Sequence, residues 1–310
     1  MSAACDVVVI GAGVAGLAAA AALRAAGRSC VLIEASGRIG GRAFTDCPPA
    51  LVGAWFDHGA TWLHAAERNP LAAIARDSGE TLIDADKVRR SRLLIGGREA
   101  NAAERRGYHA AWAAFEAMAR ARAAIDPDIA FADAMTPMRD NPWAATIALW
   151  EAAQIAAADP STFSLRDWWV NELAGSNLIV EGGIGAFVER RLGPAAGEVH
   201  LDTPALQLDW SDGVQVATPR GIIRALAAIV TVSTGVLAIG LRFAPALPNA
   251  LQAAIAGLPM GLLTKIALPA LGPDRLGLPD TMSLRRQVAP GEADHSPHVK
   301  VEGRALQLRP

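Results

Sequence analysis

The residues near the start of this chain that could do chemistry are three glycines, one acid, and a second glycine pair beside an arginine. Gly11, Gly13 and Gly16 lie in GAGVAG, Glu34 closes VLIE, and Gly40, Gly41 and Arg42 end GRIGGR. A glycine carries no Cβ, so backbone can turn tightly or approach a ligand closely. A carboxylate accepts hydrogen bonds from hydroxyls, and a guanidinium donates a fixed fork to phosphate. The GxGxxG spacing suits a pyrophosphate: Gly11 for the turn, Gly13 for close approach and Gly16 for packing helix on strand, with Ala15 inside the same turn.

Such a motif has meaning only between a strand and a helix. DVVVI, residues 6–10, is a β-branched run suited to a buried strand. After the glycines, LAAAAALRAAG is rich in strong helix formers and stops at Gly27, a C-terminal stop signal. SCVLIE, residues 29–34, reads as a second strand. The order strand, glycine turn, helix, strand places the helix N-terminus, with its unsatisfied N–H groups and partial positive charge, against the phosphates. Glu34 at the end of the second strand can accept from both hydroxyls of an adenosine ribose and repels a 2′-phosphate, which disfavours NADP. A second glycine pair so soon after the acid favours FAD over NAD, because the extended FAD arm crosses this loop, where Arg42 can fork onto a phosphate or hold the loop.

The chain has 310 residues, 52% hydrophobic and 19% charged, with formal net charge −2 and pI near 6.3. That is a globular composition with room for two domains. No basic face points to nucleic acid or an anionic membrane. Cys5, Cys30 and Cys47 form no CxxC pair and no zinc spacing, so no metal site is expected. An odd number of cysteines suits a reducing, cytoplasmic setting. The uncharged run at 7–23 approaches the length of a membrane span, but Asp6 precedes it and three glycines interrupt it, so strand and helix are the better reading.

DVVVIGAGVAGLAAA followed by VLIEASGRIGGRAFT resembles the start of the flavin-containing amine oxidases. Glu34, Ala35, Arg38, Gly40, Gly41 and Arg42 match that family's E-A-x-x-R-x-G-G-R pattern, shared more loosely with phytoene desaturases and protoporphyrinogen oxidases. FDHGATWLH resembles the family's D-x-G-A-x-W segment; the resemblance implies that Gly59 and Ala60 admit the flavin ring and that Thr61 and Trp62 line its edge. His58 and His64 are set aside, since oxidation of an amine by a flavin needs no dedicated histidine. By alignment, Ala205 is the residue whose backbone reads the adenine, where relatives commonly carry Val. The stretch at 227–248 resembles I-V-T-x-P-x-G-V-L, with Ser233 in place of Pro. AIAGLPMGLLTKIAL, at 254–268, resembles the family strand whose lysine reaches flavin N5 through a water, which would make Lys265 the catalytic residue.

The middle of the chain is Ala-rich and helical in pattern, with AAWAAFEAMARARAAI amphipathic and Asp140 or Asn141 placed to cap DNPWAATIALWEAAQIAAAD. Trp168 and Trp169 read first as core and second as walls of an amine pocket. The expected fold is α/β: a Rossmann-like FAD-binding βαβ domain interleaved with a helix-plus-sheet substrate domain and incomplete at its C-terminus. Expected boundaries are 1–78 and 181–253 for the FAD-binding domain, 79–180 for the helical part of the substrate domain, and 254–310 for the start of its sheet and an atypical tail. The family runs well beyond this length, and its last third supplies a G-E-x-T segment against the flavin. The resemblance stops near residue 288, and the tail after it is expected to be poorly ordered.

The resemblance implies oxidation of an amine: hydride to flavin N5, hydrolysis of the imine, reoxidation by O2 and release of H2O2. The alternatives are another FAD-dependent oxidoreductase or desaturase of the same superfamily, and a catalytically inactive fragment. The expected partners are a small-molecule amine and O2, with a homodimer or a complementing C-terminal chain left open, and neither nucleic acid nor membrane.

Overall fold

The computed structural model describes residues 3–51, 53–88, 90–267, 281–288 and 303–304. Most of the atypical tail lies outside the described residues. The chain forms two compact units, Met1–Ile83 with Asn177–Met260, and Asp84–Ser176 with Gly261–Pro310.

The first unit is built on a seven-stranded sheet in the order Arg242–Ala244, Gln207–Asp209, Val214–Thr218, Gly221–Val230, Ala3–Ile10, Cys30–Ile33, Val199–His200. The Ala3–Ile10 strand runs parallel to both its neighbours. It is buried on both faces, with Val8 and Val9 fully buried, which is why its sequence is a continuous β-branched run instead of an alternating one. One face is covered by the Val14–Ala25 helix through Leu17 and Ala20, which pack with Phe187 and Val188 of the Ile184–Ala196 helix. The strand order reverses direction around Ala3–Ile10: the chain leaves it for Cys30–Ile33 on one side and returns at Gly221–Val230 on the other. A crevice at such a switch point, beyond the C-terminal strand ends, is where open α/β sheets bind ligands.

The two stretches of the first unit are fastened where the Ile184–Ala196 helix begins. The Asp57 carboxylate accepts from the Ile184 N–H at 3.0 Å and from the Thr45 hydroxyl at 2.5 Å. Thr45 Oγ1 in turn accepts from the N–H groups of Gly185 (2.8 Å) and Ala186 (3.2 Å). Three otherwise orphaned donors of a helix N-terminus are thereby satisfied by side chains more than a hundred residues away in sequence. A Cβ on Gly183 would overlap the Thr45 side chain, and one on Gly185 would overlap the Phe44–Thr45 backbone, which explains the glycines of VEGGIG. Asp57 is 4% exposed. Replacing it with Ala is expected to destabilise the protein by about 2–3 kcal/mol, a lost cap plus a stranded buried N–H. An unchanged urea midpoint would refute this account.

A second clamp joins the same helix to the end of Pro70–Asp77. Arg190 and Arg191 each donate to Glu80 at 2.8 Å, and the Glu80 side chain is 8% exposed. Burial pushes the Glu80 carboxyl up, but the hydrogen bonds of Arg191 and Arg190 outweigh it, and its pKa falls below the ordinary 4.5. A depressed acid pKa contributes stability that is full above that ordinary value and lost as pH falls through the lower folded value. Glu80→Gln should therefore lower Tm at neutral pH, and its deficit should shrink as pH drops below about 4. A deficit constant with pH would show that the charge is immaterial.

The second unit is mainly helical. Ala102–Ala123 starts with a capping box, the Asn101 side chain accepting from Ala103 and Glu104 N–H while Glu104 accepts from the Asn101 N–H. Its buried face is Tyr108, Ala111, Phe115, Ala119 and Ala123, the helical repeat the sequence shows. Phe115, Phe131, Ile147 and Leu165 form the fully buried centre. DNPWAATIALWEAAQIAAAD begins its helix later than Pro142 suggests. Asn141 accepts from Trp143 N–H, the α-helix covers Ala144–Ala148, and Leu149–Ala156 continues as a π-helix. A sheet of Arg98–Glu99, Arg90–Ile95, Thr281–Arg286 and Gly303–Arg304 completes this unit.

The stretch read as a lysine-bearing strand differs from expectation. Asn249–Ala256 is helix, and 257–267 has no regular structure and pairs with no strand among the described residues. An apolar run becomes a strand only when a partner supplies the ladder bonds, and none among the described residues does so. Large apolar side chains are exposed in this part of the chain, with Ile239 at 94% and Leu262 at 90%. Among the described residues, no helix is long and apolar enough to cross a membrane.

Candidate functional site

The glycine turn closes the C-terminal end of the central strand. Gly11 takes φ +102°, a region open to glycine, and its N–H bonds to the Ile33 carbonyl at 2.9 Å. A Cβ on Gly16 would overlap the Gly11 carbonyl oxygen, so the helix can sit on the turn only with glycine there. Gly13 is different: a Cβ there would meet nothing closer than Gly41 Cα at 3.9 Å, and the space above it is open. The helix that follows has Gly13 as its N-terminal cap, with no side-chain capping bond and no acid in its first turn. Ala15, in that turn, is exposed. An uncapped helix N-terminus behind open backbone is an anion site in waiting.

Glu34 lies across this turn. One carboxylate oxygen accepts from the Ala12 N–H at 2.8 Å, and the other accepts from the Ser36 N–H and hydroxyl, both at 2.9 Å. Its own backbone is pinned, the N–H to the His200 carbonyl and the carbonyl to the Thr203 N–H. The acid is thus oriented by protein donors, and its Oε2 keeps a lone pair for a further hydroxyl. Ala35, next to it, is exposed.

The GRIGGR loop folds back onto the turn. The Gly40 N–H donates to the Ala12 carbonyl at 2.8 Å, and a Cβ on Gly41 would approach Gly13 Cα at 3.1 Å. Both glycines have positive φ, +92° and +58°. Gly41 is therefore required by backbone packing on the first glycine motif and Gly40 by the Ala43 carbonyl of its own turn, reasons that a ligand-facing reading of the loop does not contain. Arg38 holds the loop: its guanidinium donates to the Gly41 carbonyl at 2.9 Å and stacks 4.1 Å above the Phe44 ring. Arg42 is exposed, its side chain making no hydrogen bond or ion pair among the described residues.

Residues 42–46 and 56–60 run alongside each other. The Ala60 N–H bonds to the Arg42 carbonyl at 2.9 Å, and a Cβ on Gly59 would overlap that same carbonyl oxygen. Thr61 is buried, and Trp62 is half-buried and stacked with the His64 ring. Ala205 precedes the Gln207–Asp209 strand and is half-buried; the bond that starts the sheet there is made by Leu206 to Ala217. Lys265 belongs to the second unit, half-buried in the irregular stretch.

Two contributors were not singled out from sequence. Thr231 Oγ1 lies 3.0 Å from the carbonyls of both Ile10 and Gly11, sharing its proton between them, and it sits where a Cβ on Gly11 or Gly16 would fall, at 2.9 Å. It pins the strand end and the glycine turn from the neighbouring strand. The signal was a hydroxyl ending an apolar strand, IVT. Ser233, noted only as a missing Pro, caps the Thr234–Ile239 helix by accepting from the Val236 N–H.

An open glycine turn, an uncapped helix N-terminus and an oriented acid at the second strand end suit the adenosine diphosphate half of FAD. A search against known families matches the pattern described as flavin containing amine oxidoreductase at residues 14–149 and 133–273. Polyamine oxidase 2 of Arabidopsis thaliana is 30% identical over 290 residues, 85% of this chain and 58% of the relative. Polyamine oxidase 3 of Oryza sativa subsp. japonica is 31% identical over 293 residues, again 58% of the relative. L-amino acid dehydrogenase of Synechocystis is 25% identical over 86% of this chain and 64% of its own length. A solved putrescine oxidase structure shares the fold with TM-score 0.68 at 23% identity, over 83% of this chain and 64% of that one. The chain thus spans about three fifths of the length of the relatives it matches. With a family pattern matched over most of its described length, this chain belongs to the flavin containing amine oxidoreductases, whose cofactor is FAD.

Proposed function

We propose that this chain provides the FAD-binding part and the start of the substrate-binding part of an amine oxidase. The observation that carries the reading is the Glu34 carboxylate held over an open, uncapped glycine turn. In this reading the Met1–Ile83 and Asn177–Met260 unit binds FAD, and the Asp84–Ser176 and Gly261–Pro310 unit meets the amine. Backbone N–H groups at the turn hold the pyrophosphate, Arg42 adds its unengaged guanidinium, and Glu34 accepts the ribose hydroxyls. The Ala205 backbone reads the adenine, and Gly59, Ala60, Thr61 and Trp62 lie along the ring. When bound, FAD supplies the hydride acceptor for the amine and the electrons for reduction of O2 to H2O2. Lys265 holds the water next to the reacting centre and handles its proton. The imine that forms is released to hydrolysis.

The small-molecule partners are then an amine and O2. Exposed Leu226 (80%) and Ile239 (94%) support a polypeptide cover, either a second copy or a chain carrying the counterpart of the relatives' remaining length. Three free cysteines suit a reducing compartment such as the cytoplasm.

The test is the visible spectrum of the purified chain after incubation with FAD and gel filtration. A retained flavin band, bleached anaerobically by an amine, supports the reading; no retained band with well-folded protein overturns it. Glu34→Gln should weaken FAD binding about ten- to a hundredfold, the worth of a charge-assisted hydrogen bond.

A further inference from the structure

The Gly221–Val230 strand is paired almost throughout on one side and only in its first half on the other. On one side it meets Ala3–Ile10, from Ala3 opposite Ile223 to Ile10 opposite Val230. On the other, Val214–Thr218 covers residues 221–225 and goes no further. Thr231 continues the first pairing, its N–H donating to the Ile10 carbonyl at 3.0 Å. Backbone groups alternate sides along a strand, so Ala227 and Ile229 turn theirs to Ala3–Ile10 as Thr231 does. Leu226, Ala228 and Val230 turn theirs to the opposite edge, where no strand pairs with them among the described residues.

This edge carries none of the devices that keep a bare edge from pairing. LAAIVTV, residues 226–232, contains no charge, proline or glycine. Exposed edges are ordinarily blunted by lysine, proline or a bulge, because a row of free donors and acceptors takes up any extended chain. The surroundings are those of an interior strand. Ala228, Val230 and Val232 pack on the cluster of Val8, Ile10 and Val216, and Ile229 packs on the cluster of Val9, Leu17 and Phe187. Apolar layers thus flank the open edge on both faces, and Leu226, where the earlier pairing stops, is 80% exposed. A strand added there would be shielded on both faces, which calls for an apolar, β-branched segment of the kind seen in VVVI, residues 7–10.

We propose that the free edge at residues 226–230 docks a β-strand of a second, different polypeptide, an extended apolar segment that adds to the sheet beside its central pair. The chain spans about three fifths of the length of the relatives it matches, which leaves them polypeptide with no counterpart here. The partner carries that counterpart; this identification rests on the amine oxidase reading, whereas the edge itself does not. A second copy does not fit the full edge. The antiparallel pairing that would engage Leu226, Ala228 and Val230 of both copies drives Thr231 of one into the position that Val214 of the other already fills beside Ala225.

The experiment is residue-by-residue amide hydrogen exchange of the full chain, with and without a lysine-flanked peptide whose centre alternates valine and isoleucine. An analogue N-methylated at every central residue keeps the apolar side chains and lacks the ladder donors. The expected result is a monomer in which Ile229 and Thr231 amides exchange slowly and those of Leu226, Ala228 and Val230 quickly. The peptide should slow these three amides about tenfold or more, and the N-methylated analogue should not. Ala228→Pro removes an edge-facing donor and no bond to Ala3–Ile10, so it should melt like the parent and lose the response to the peptide. If that variant fails to fold, the unaltered chain decides. Slow exchange of the three amides in a monomer would mean that the chain covers its own edge, and the same protection in a dimer would make a second copy the occupant. Either overturns the proposal, as does a peptide that leaves the three amides unchanged. A chain that retains flavin and ignores the peptide keeps the oxidase reading and loses this one. A chain that binds the peptide and holds no FAD does the reverse.

Discussion

Alanine at Gly16 and alanine at Gly13 should give opposite phenotypes. Gly16→Ala puts a Cβ onto the Gly11 carbonyl oxygen and within 2.9 Å of Thr231 Oγ1. The first of these neighbours is backbone, bonded into the turn that ends the central strand, and it cannot rotate aside. Overpacking usually costs about 1–3 kcal/mol, and a clash against fixed backbone should exceed that range. The expected outcome is protein with a broad, early melting transition, or none in the soluble fraction. Gly13→Ala meets only Gly41 Cα at 3.9 Å, an ordinary contact, so it should fold and melt like the parent. It should nevertheless lose FAD, because the new methyl occupies the space over the turn. Circular dichroism melting with flavin absorbance after gel filtration reads both properties. A Gly13→Ala protein that retains FAD like its parent would mean that the pyrophosphate does not lie there.

Lys265→Met is expected to slow anaerobic reduction of the flavin-loaded protein by an amine about a hundredfold or more, within the usual range for losing a positioned proton-handling group. FAD retention should be unchanged, because Lys265 lies in the second unit and outside the glycine and Glu34 cradle. Met keeps the length and apolar stem of the side chain and removes the ammonium. Stopped-flow loss of the flavin band measures the rate. Reduction at the parental rate would leave Lys265 without a chemical role and return attention to the second unit's other polar groups.

The parts of this fold that could be read from sequence are those determined locally. The strand, turn, helix and strand at residues 3–33 are spelled by a β-branched run, three spaced glycines and an alanine-rich helix, all within one short stretch. The cap of the Ile184–Ala196 helix was not legible, because its acceptors are Asp57 and Thr45, 127 and 140 positions from the N–H groups they satisfy. Gly40 and Gly41 were readable as necessary glycines but not for their reasons, which are the Ala43 carbonyl for Gly40 and the Gly13 backbone for Gly41. Residues 254–268 resemble a strand of the family, yet strand formation depends on a pairing partner that the segment itself does not encode. The stacking of Arg285 on Trp150 gave no signal at all, since only folding brings a strand end against a π-helix.

The central strand has a further consequence, for the order of events during synthesis. Ala3 pairs with Ile223 and Cys5 with Ala225, so the strand made first waits for a neighbour encoded some 220 positions later. At about 5–20 residues per second, the ribosome takes on the order of ten to forty seconds to deliver it. Throughout that interval one edge of this buried strand carries unsatisfied N–H and carbonyl groups. The second unit's Asp84–Ser176 stretch emerges in the meantime, made of short-range helical contacts that close quickly. The nascent chain therefore passes through a stage in which the inserted helices have set and the sheet of the first unit is still half a sheet, and that is when a chaperone would find most to hold.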